Sequence, residues 1–143
     1  MPLSHSVQFT SERFDYQSEL PDDYNAGNRF YGKDVAEFLV SAMATKSLKT
    51  DLIDEDWGWL VFTLKGSTPE FEVAIYNLSE HGEGSRPGTN QWGLWVRSYE
   101  RRNLLGLLPR QTEVAVPSLV SEAIEQAISA AGATPEPWAD GPQ

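Results

Sequence analysis

This sequence predicts an α+β fold, a two-layer sandwich with two helices on one face of an antiparallel sheet of four to five strands. Three observations lead there: two stretches with apolar residues at helical spacing, several stretches that alternate with a period of two, and turn residues between neighbouring alternating stretches. Two helices with apolar stripes need an apolar sheet face to cover, which forces the layers. The expected order is β-α-β-β-β-(β)-α.

Each element has its own justification. His5 to Thr10 places Val7 and Phe9 on one side, as a short strand would. Residues 11–31 mix aromatics with Pro21, Asp22, Asp23 and Gly27 and predict an ordered loop that packs Phe14, Tyr16 and Tyr24. Val35, Phe38, Leu39, Ala42 and Met43 then recur at helical spacing, with Asp34 and Glu37 near the start and Lys46 and Lys49 near the end, as the macrodipole favours. That helix is expected over 33–46.

From Trp57 the period becomes two. Leu60, Phe62 and Leu64 alternate with Trp59, Val61 and Thr63, and 65–69 (Lys-Gly-Ser-Thr-Pro) is a turn. Phe71, Val73 and Ile75 continue as the second arm of a hairpin. After a polar loop at 79–90, Trp92, Leu94 and Val96 alternate with Trp95, Arg97 and Tyr99 in a third strand. The larger aliphatic set, Leu60, Phe62, Leu64, Phe71, Val73, Ile75, Trp92, Leu94 and Val96, is taken as the core face. Trp59, Tyr76, Trp95 and Tyr99 fall to the opposite face, with Trp57 beside them.

Residues 100–111 are basic and leucine-rich without a clear period, and 112–116 could add a strand. Pro117 suits a first helical turn, and Leu119, Val120, Ala123, Ile124, Ala127, Ile128 and Ala131 form a second stripe over 118–131 that ends at Gly132. One domain is expected over 1–132, followed by a Pro-rich tail over 133–143 that stays loose unless Trp138 anchors it.

Composition narrows the function classes. A chain of 143 residues, 40% of them hydrophobic, can bury a core without disulfides or metal. The absence of Cys removes thiolate catalysis and Cys-ligated metal sites. The first residues have no basic and apolar run of a secretory signal, and the longest apolar block, Leu104 to Leu108, is far short of a membrane span, so a cytoplasmic protein is expected. A net charge of −10 repels nucleic acid and anionic membranes and draws in cationic partners. The charge is polarised: Arg86, Arg97, Arg101, Arg102 and Arg110 face the single acid Glu100 over 86–110, while Asp51, Asp54, Glu55 and Asp56 have no base among them.

Candidate chemistry is thin. His5 and His81 form no zinc-binding pair, and an EF-hand begun at Asp54 would place Trp59 where glycine is required. The acidic run 51–56 therefore reads as a solvated turn entering a strand. Gly82, Gly84 and Gly88 precede a strand, not a helix, and lack the Lys-Ser/Thr of a phosphate loop. No Gly-x-Ser-x-Gly elbow is present. Leu104 to Leu108 also matches a Leu-x-x-Leu-Leu box, though a buried turn ending at Pro109 is simpler. No catalytic residue, metal site or cofactor is assigned. Asp54, Glu55 and Asp56 beside Trp57 and Trp59 leave an acid–base pair open.

The stretch 54–59 (Asp-Glu-Asp-Trp-Gly-Trp), its alternating continuation and the later Trp92-x-Leu-x-Val96 resemble a pattern in small uncharacterised bacterial α+β proteins, some of the toxin-immunity type. The similarity covers about a third of the chain and implies a small acidic protein that binds another protein, with no catalytic residue to carry over. The leading expectation is a non-enzymatic protein-binding module, an inhibitor or immunity protein for a basic partner such as a toxin. Asp54, Glu55 and Asp56 would steer that partner, and Trp57, Trp59 and Trp95 would anchor it. Rival expectations are a small-molecule or enzymatic domain with an aromatic pocket, and an acidic secretion chaperone. A homodimer is compatible with all of them.

Overall fold

The computed structural model describes residues 3–14, 32–55, 58–78, 90–102, 110–139 and 141. Its elements run β1 (His5–Ser11), α1 (Lys33–Ala44), β2 (Asp51–Glu55), β3 (Gly58–Phe62), β4 (Glu70–Asn77), β5 (Asn90–Arg102), β6 (Arg110–Val114), α2 (Ser118–Ala130) and β7 (Glu136–Pro137). The fold is α+β, as the periodicities predicted. All pairings are antiparallel, and the sheet order is β2-β3-β4-β5-β1-β7, with β6 beside the C-terminal half of β5.

One sheet face is the core. Its central rows read across the strands as Trp59–Ile75–Leu94–Val7 and Val61–Val73–Val96. Both helices cover this face. Val35, Ala36, Leu39 and Met43 of α1, and Val120, Ala123, Ile124, Ala127 and Ile128 of α2, share one buried cluster with those strand residues. Ile128 meets Leu94 and Phe9 near Val35, Phe38 and Leu39 around a void just large enough for a water. Phe14, the only described aromatic of the 11–31 loop, packs edge-on against Phe9 and Phe38. Tyr16, Tyr24, the 79–89 loop and Leu104 to Leu108 lie outside the described residues.

The helix ends follow from local chemistry. α2 stops in a Schellman turn: Gly132 sits at φ 84, its N–H donates to the Ser129 carbonyl, and the Ala133 N–H donates to the Ile128 carbonyl. Ser47, at φ 62, makes the same kind of exit after α1 and lets the Leu48 N–H reach the Met43 carbonyl, which turns buried Leu48 inward.

Three expectations are corrected. On β3 the core side is Trp59, Val61 and Thr63; Leu60 and Phe62 point to the other face, and Leu64 is 64% exposed. Both sides of this strand are apolar, so alternation alone cannot assign its faces; pairing of Trp59 with Ile75 and of Val61 with Val73 does. Thr63 fits the inner side because its hydroxyl accepts the Phe71 N–H at 3.0 Å. Second, 51–55 is not a turn but an edge strand, with Leu52 opposite Val61. Third, the described residues form a sheet of seven strands, because β2 and a C-terminal strand join it. β7 pairs with β1 through Val7–Pro137 and Gln8–Glu136, so the Pro-rich tail returns to the sheet, anchored by Trp138.

Candidate functional site

Among the described residues, no helix covers the second face of the sheet. Its central row is Ile53–Leu60–Ala74–Trp95–Ser6, one residue from each of β2, β3, β4, β5 and β1. Ile53 is 46% exposed, Leu60 and Trp95 are half-buried, and Ala74 is buried between them. The result is an apolar band across the width of the sheet.

The next row is Asp51, Phe62, Glu72 and Arg97, three of them charged. Arg97 stacks on the Trp95 ring, with its guanidinium carbon 4.1 Å from the centroid, and bridges to Glu72 Oε2 at 3.3 Å. The Tyr99 hydroxyl donates to Glu72 Oε1 at 2.7 Å. Burial first, and then this hydrogen bond to a carboxylate, raise the Tyr99 phenol above its usual value. Burial also raises Tyr76, with Arg97 opposing it. Trp95, Arg97, Glu72 and Tyr99 thus form a connected array with two partly exposed aromatic rings.

At the end of this face the chemistry becomes structural. Glu70 is 7% exposed, and its carboxylate accepts from Arg101 Nε at 2.8 Å, Arg101 Nη2 at 3.0 Å, Gln111 Nε2 at 3.2 Å and the Gly66 N–H at 3.1 Å. Burial pushes its pKa up, but these donors together hold it below the ordinary carboxylate value. An ionised carboxylate with four donors is neither a free base nor a proton source. It ties the β3–β4 turn to β5 and β6. The adjoining cleft of about 350 Å³, lined by Gly66, Pro69, Tyr99, Arg101 and Val114 among others, is of ligand size. Of the charges at its wall, Glu70 and Arg101 are already paired with each other.

The residues singled out in the sequence are not gathered into one patch. Trp59 is 6% exposed on the helix-covered face, against Ile75, so it is core and cannot anchor a partner. Trp95 lies on the open face, three strands from β2, or about 14 Å at the usual strand spacing. Asp54 stands across from Trp59 in the ladder, and Glu55 is half-buried across from Gly58. Asp56 and Trp57 lie outside the described residues. Ile53, Leu60, Phe62, Glu72 and Arg97 were missed as site residues. Ile53 was hidden inside an acidic run, and Leu60 and Phe62 carried the wrong face. Gly93 did carry a signal, since glycine inside a strand often marks a close approach. Its ideal Cβ would lie 2.7 Å from the Trp138 ring.

Among the described residues, no three His, Cys, Asp or Glu side chains are grouped so as to hold a metal ion. Nor is any helix among them long and apolar enough to cross a membrane. The face presents apolar, aromatic and charged side chains together. No protein-family model, curated protein or solved structure matches the chain.

Proposed function

We propose that this chain is a non-enzymatic protein-binding module that presents the open sheet face to a basic partner, as an inhibitor or immunity protein does. One observation carries the reading. Ile53, Leu60 and Trp95 form a band across a sheet face that no helix of the described residues covers, whereas α1 and α2 both pack on the opposite face. Aromatic side chains beside arginine are the composition of binding hot spots. The acidic edge strand next to the band, with Asp51 exposed, and the net charge of −10 supply the complementary field for a cationic partner.

The test uses immobilised wild-type protein beside a doubly substituted form, Ile53→Asp with Trp95→Ala, chosen because both residues lie outside the helix-covered core. A basic protein that is retained by the first and lost by the second, while the second remains folded at the assay temperature, supports the reading. Equal retention by both forms overturns it.

A further inference from the structure

We propose that the seat formed by Gly93 and Tyr76 on the open face is a docking groove for an extended partner segment. That segment would pair antiparallel with the outer edge of β1 and insert one aromatic side chain. The chain's own C-terminal strap (133–139) occupies the groove until such a segment displaces it. This rests on the protein-binding reading above and specifies the form of the partner.

The seat is made for a flat ring. β5 carries Gln91 and Trp95 on either side of Gly93, and the missing side chain between them leaves space that the Trp138 indole fills. Tyr76, opposite Gly93 on β4, meets the indole edge-on at 5.7 Å between centroids. Any side chain at residue 93 would collide with the ring, so the seat depends on glycine there.

The strap is lightly fastened. It pairs with β1 over two residues only, Glu136 and Pro137, and both are exposed. The Trp138 N–H reaches the Ser6 carbonyl at 3.3 Å, and Gln8 Nε2 donates to the Pro137 carbonyl at 3.0 Å. The strap begins after Gly132, the left-handed residue of the Schellman turn that ends α2.

The edge also holds unused capacity. β1 spans His5–Ser11, but among the described residues no strand pairs with the outer side of Phe9, Thr10 or Ser11. A groove of about 240 Å³ opens there, lined by Gln8, Phe9, Thr10, Gln91 and the residues leading into the strap. A partner strand longer than two residues would form more ladder bonds than the strap it replaces while refilling the same aromatic seat. Strand addition at a sheet edge with a side chain in a pocket is an established mode of peptide recognition.

The probe is a labelled peptide with the sequence of residues 133–143, titrated to millimolar concentration into full-length wild-type protein and full-length Trp138→Ala. A strap acting in cis competes at its effective concentration, so the peptide should bind the Trp138→Ala chain at least about tenfold tighter than wild type. Binding should disappear when the peptide's own Trp is replaced by Ala, and should weaken when Gly93→Ala is added to the protein. Equal affinity for both chains, or indifference to the peptide's Trp, overturns the proposal. Should Trp138→Ala fail to fold, amide exchange in the wild-type protein decides instead. The Trp138 amide should exchange at least about a hundredfold faster than the β1–β5 ladder. Exchange at the ladder's rate would make the strap an integral strand and sink the idea. Contact through Ile53 and Trp95 does not need the strap, so a failed peptide titration leaves the protein-binding reading standing.

Discussion

Trp59 and Trp95 are two tryptophans on opposite faces of one sheet, and truncating each should separate core from surface. Trp59 is 6% exposed against Ile75 and the α1 side of the core. A tryptophan side chain withdraws about 200 Å² from water, and at about 25 cal/mol/Å² that is worth about 5 kcal/mol. Trp59→Ala retains the Cβ but leaves a cavity, so the expected loss is about 3–5 kcal/mol. For a chain of this length that lowers the thermal midpoint by about 10–20 °C. Trp95 is half-buried and stacked by Arg97, an interaction of about 0.5–1 kcal/mol at a partly exposed site. Trp95→Ala should therefore cost about 1–2 kcal/mol, leaving a folded protein whose partner dissociates faster. Urea titration followed by far-ultraviolet circular dichroism measures both, with unchanged m values confirming that only stability has moved. If Trp59→Ala loses less than about 1 kcal/mol, or Trp95→Ala loses as much as Trp59→Ala, the assignment of the two faces is wrong.

Three further outcomes are expected. Glu70 has a folded pKa below its unfolded value, so its contribution is present above the unfolded carboxylate range, about pH 4.3, and is lost as pH falls through the folded pKa. Arg101→Ala, which strands the buried carboxylate, should cost about 3 kcal/mol at neutral pH, and Glu70→Gln should make the acid limb of the stability profile shallower; identical acid limbs would refute the role given to Glu70. Asp51→Asn, Asp54→Asn and Glu55→Gln together should slow association with a basic partner and flatten its salt dependence while leaving the thermal midpoint nearly unchanged, and wild-type on-rates at low salt would count against steering by β2. Chelator treatment should leave the thermal midpoint unchanged, and a drop reversed by zinc or calcium would show that a metal site exists.

Local pattern was enough for some elements and not for others. The α1 stripe Val35–Leu39–Met43 and the α2 stripe Val120–Ile124–Ile128 could be read directly, because a polar opposite side leaves one orientation to choose. The same holds for β4 and β5, where Val73 and Ile75 alternate with Glu72 and Tyr76, and Leu94 and Val96 with Trp95 and Arg97. β3 gave no such contrast, since Trp59 and Val61 compete with Leu60 and Phe62, and that ambiguity placed Trp59 in the binding site. β2 was obscured for a related reason. Three acids in five residues look like a turn, yet an edge strand gains protection from charge and needs only one inner side chain, Leu52, to hold its place.

The sequence by itself determined the fold class, the acidity, the two helices and the side chains available for chemistry, because these depend on composition and on periods within single segments. Only the tertiary structure decided which side of β3 faces the helices, that 51–55 closes one edge of the sheet, and that Trp138 travels from the chain end to rest on Gly93. Those choices depend on pairings between residues far apart in the chain, such as Trp59 with Ile75 and Val7 with Pro137. A one-residue change of register would invert them without altering any local pattern, so their free energy resides in the assembled core.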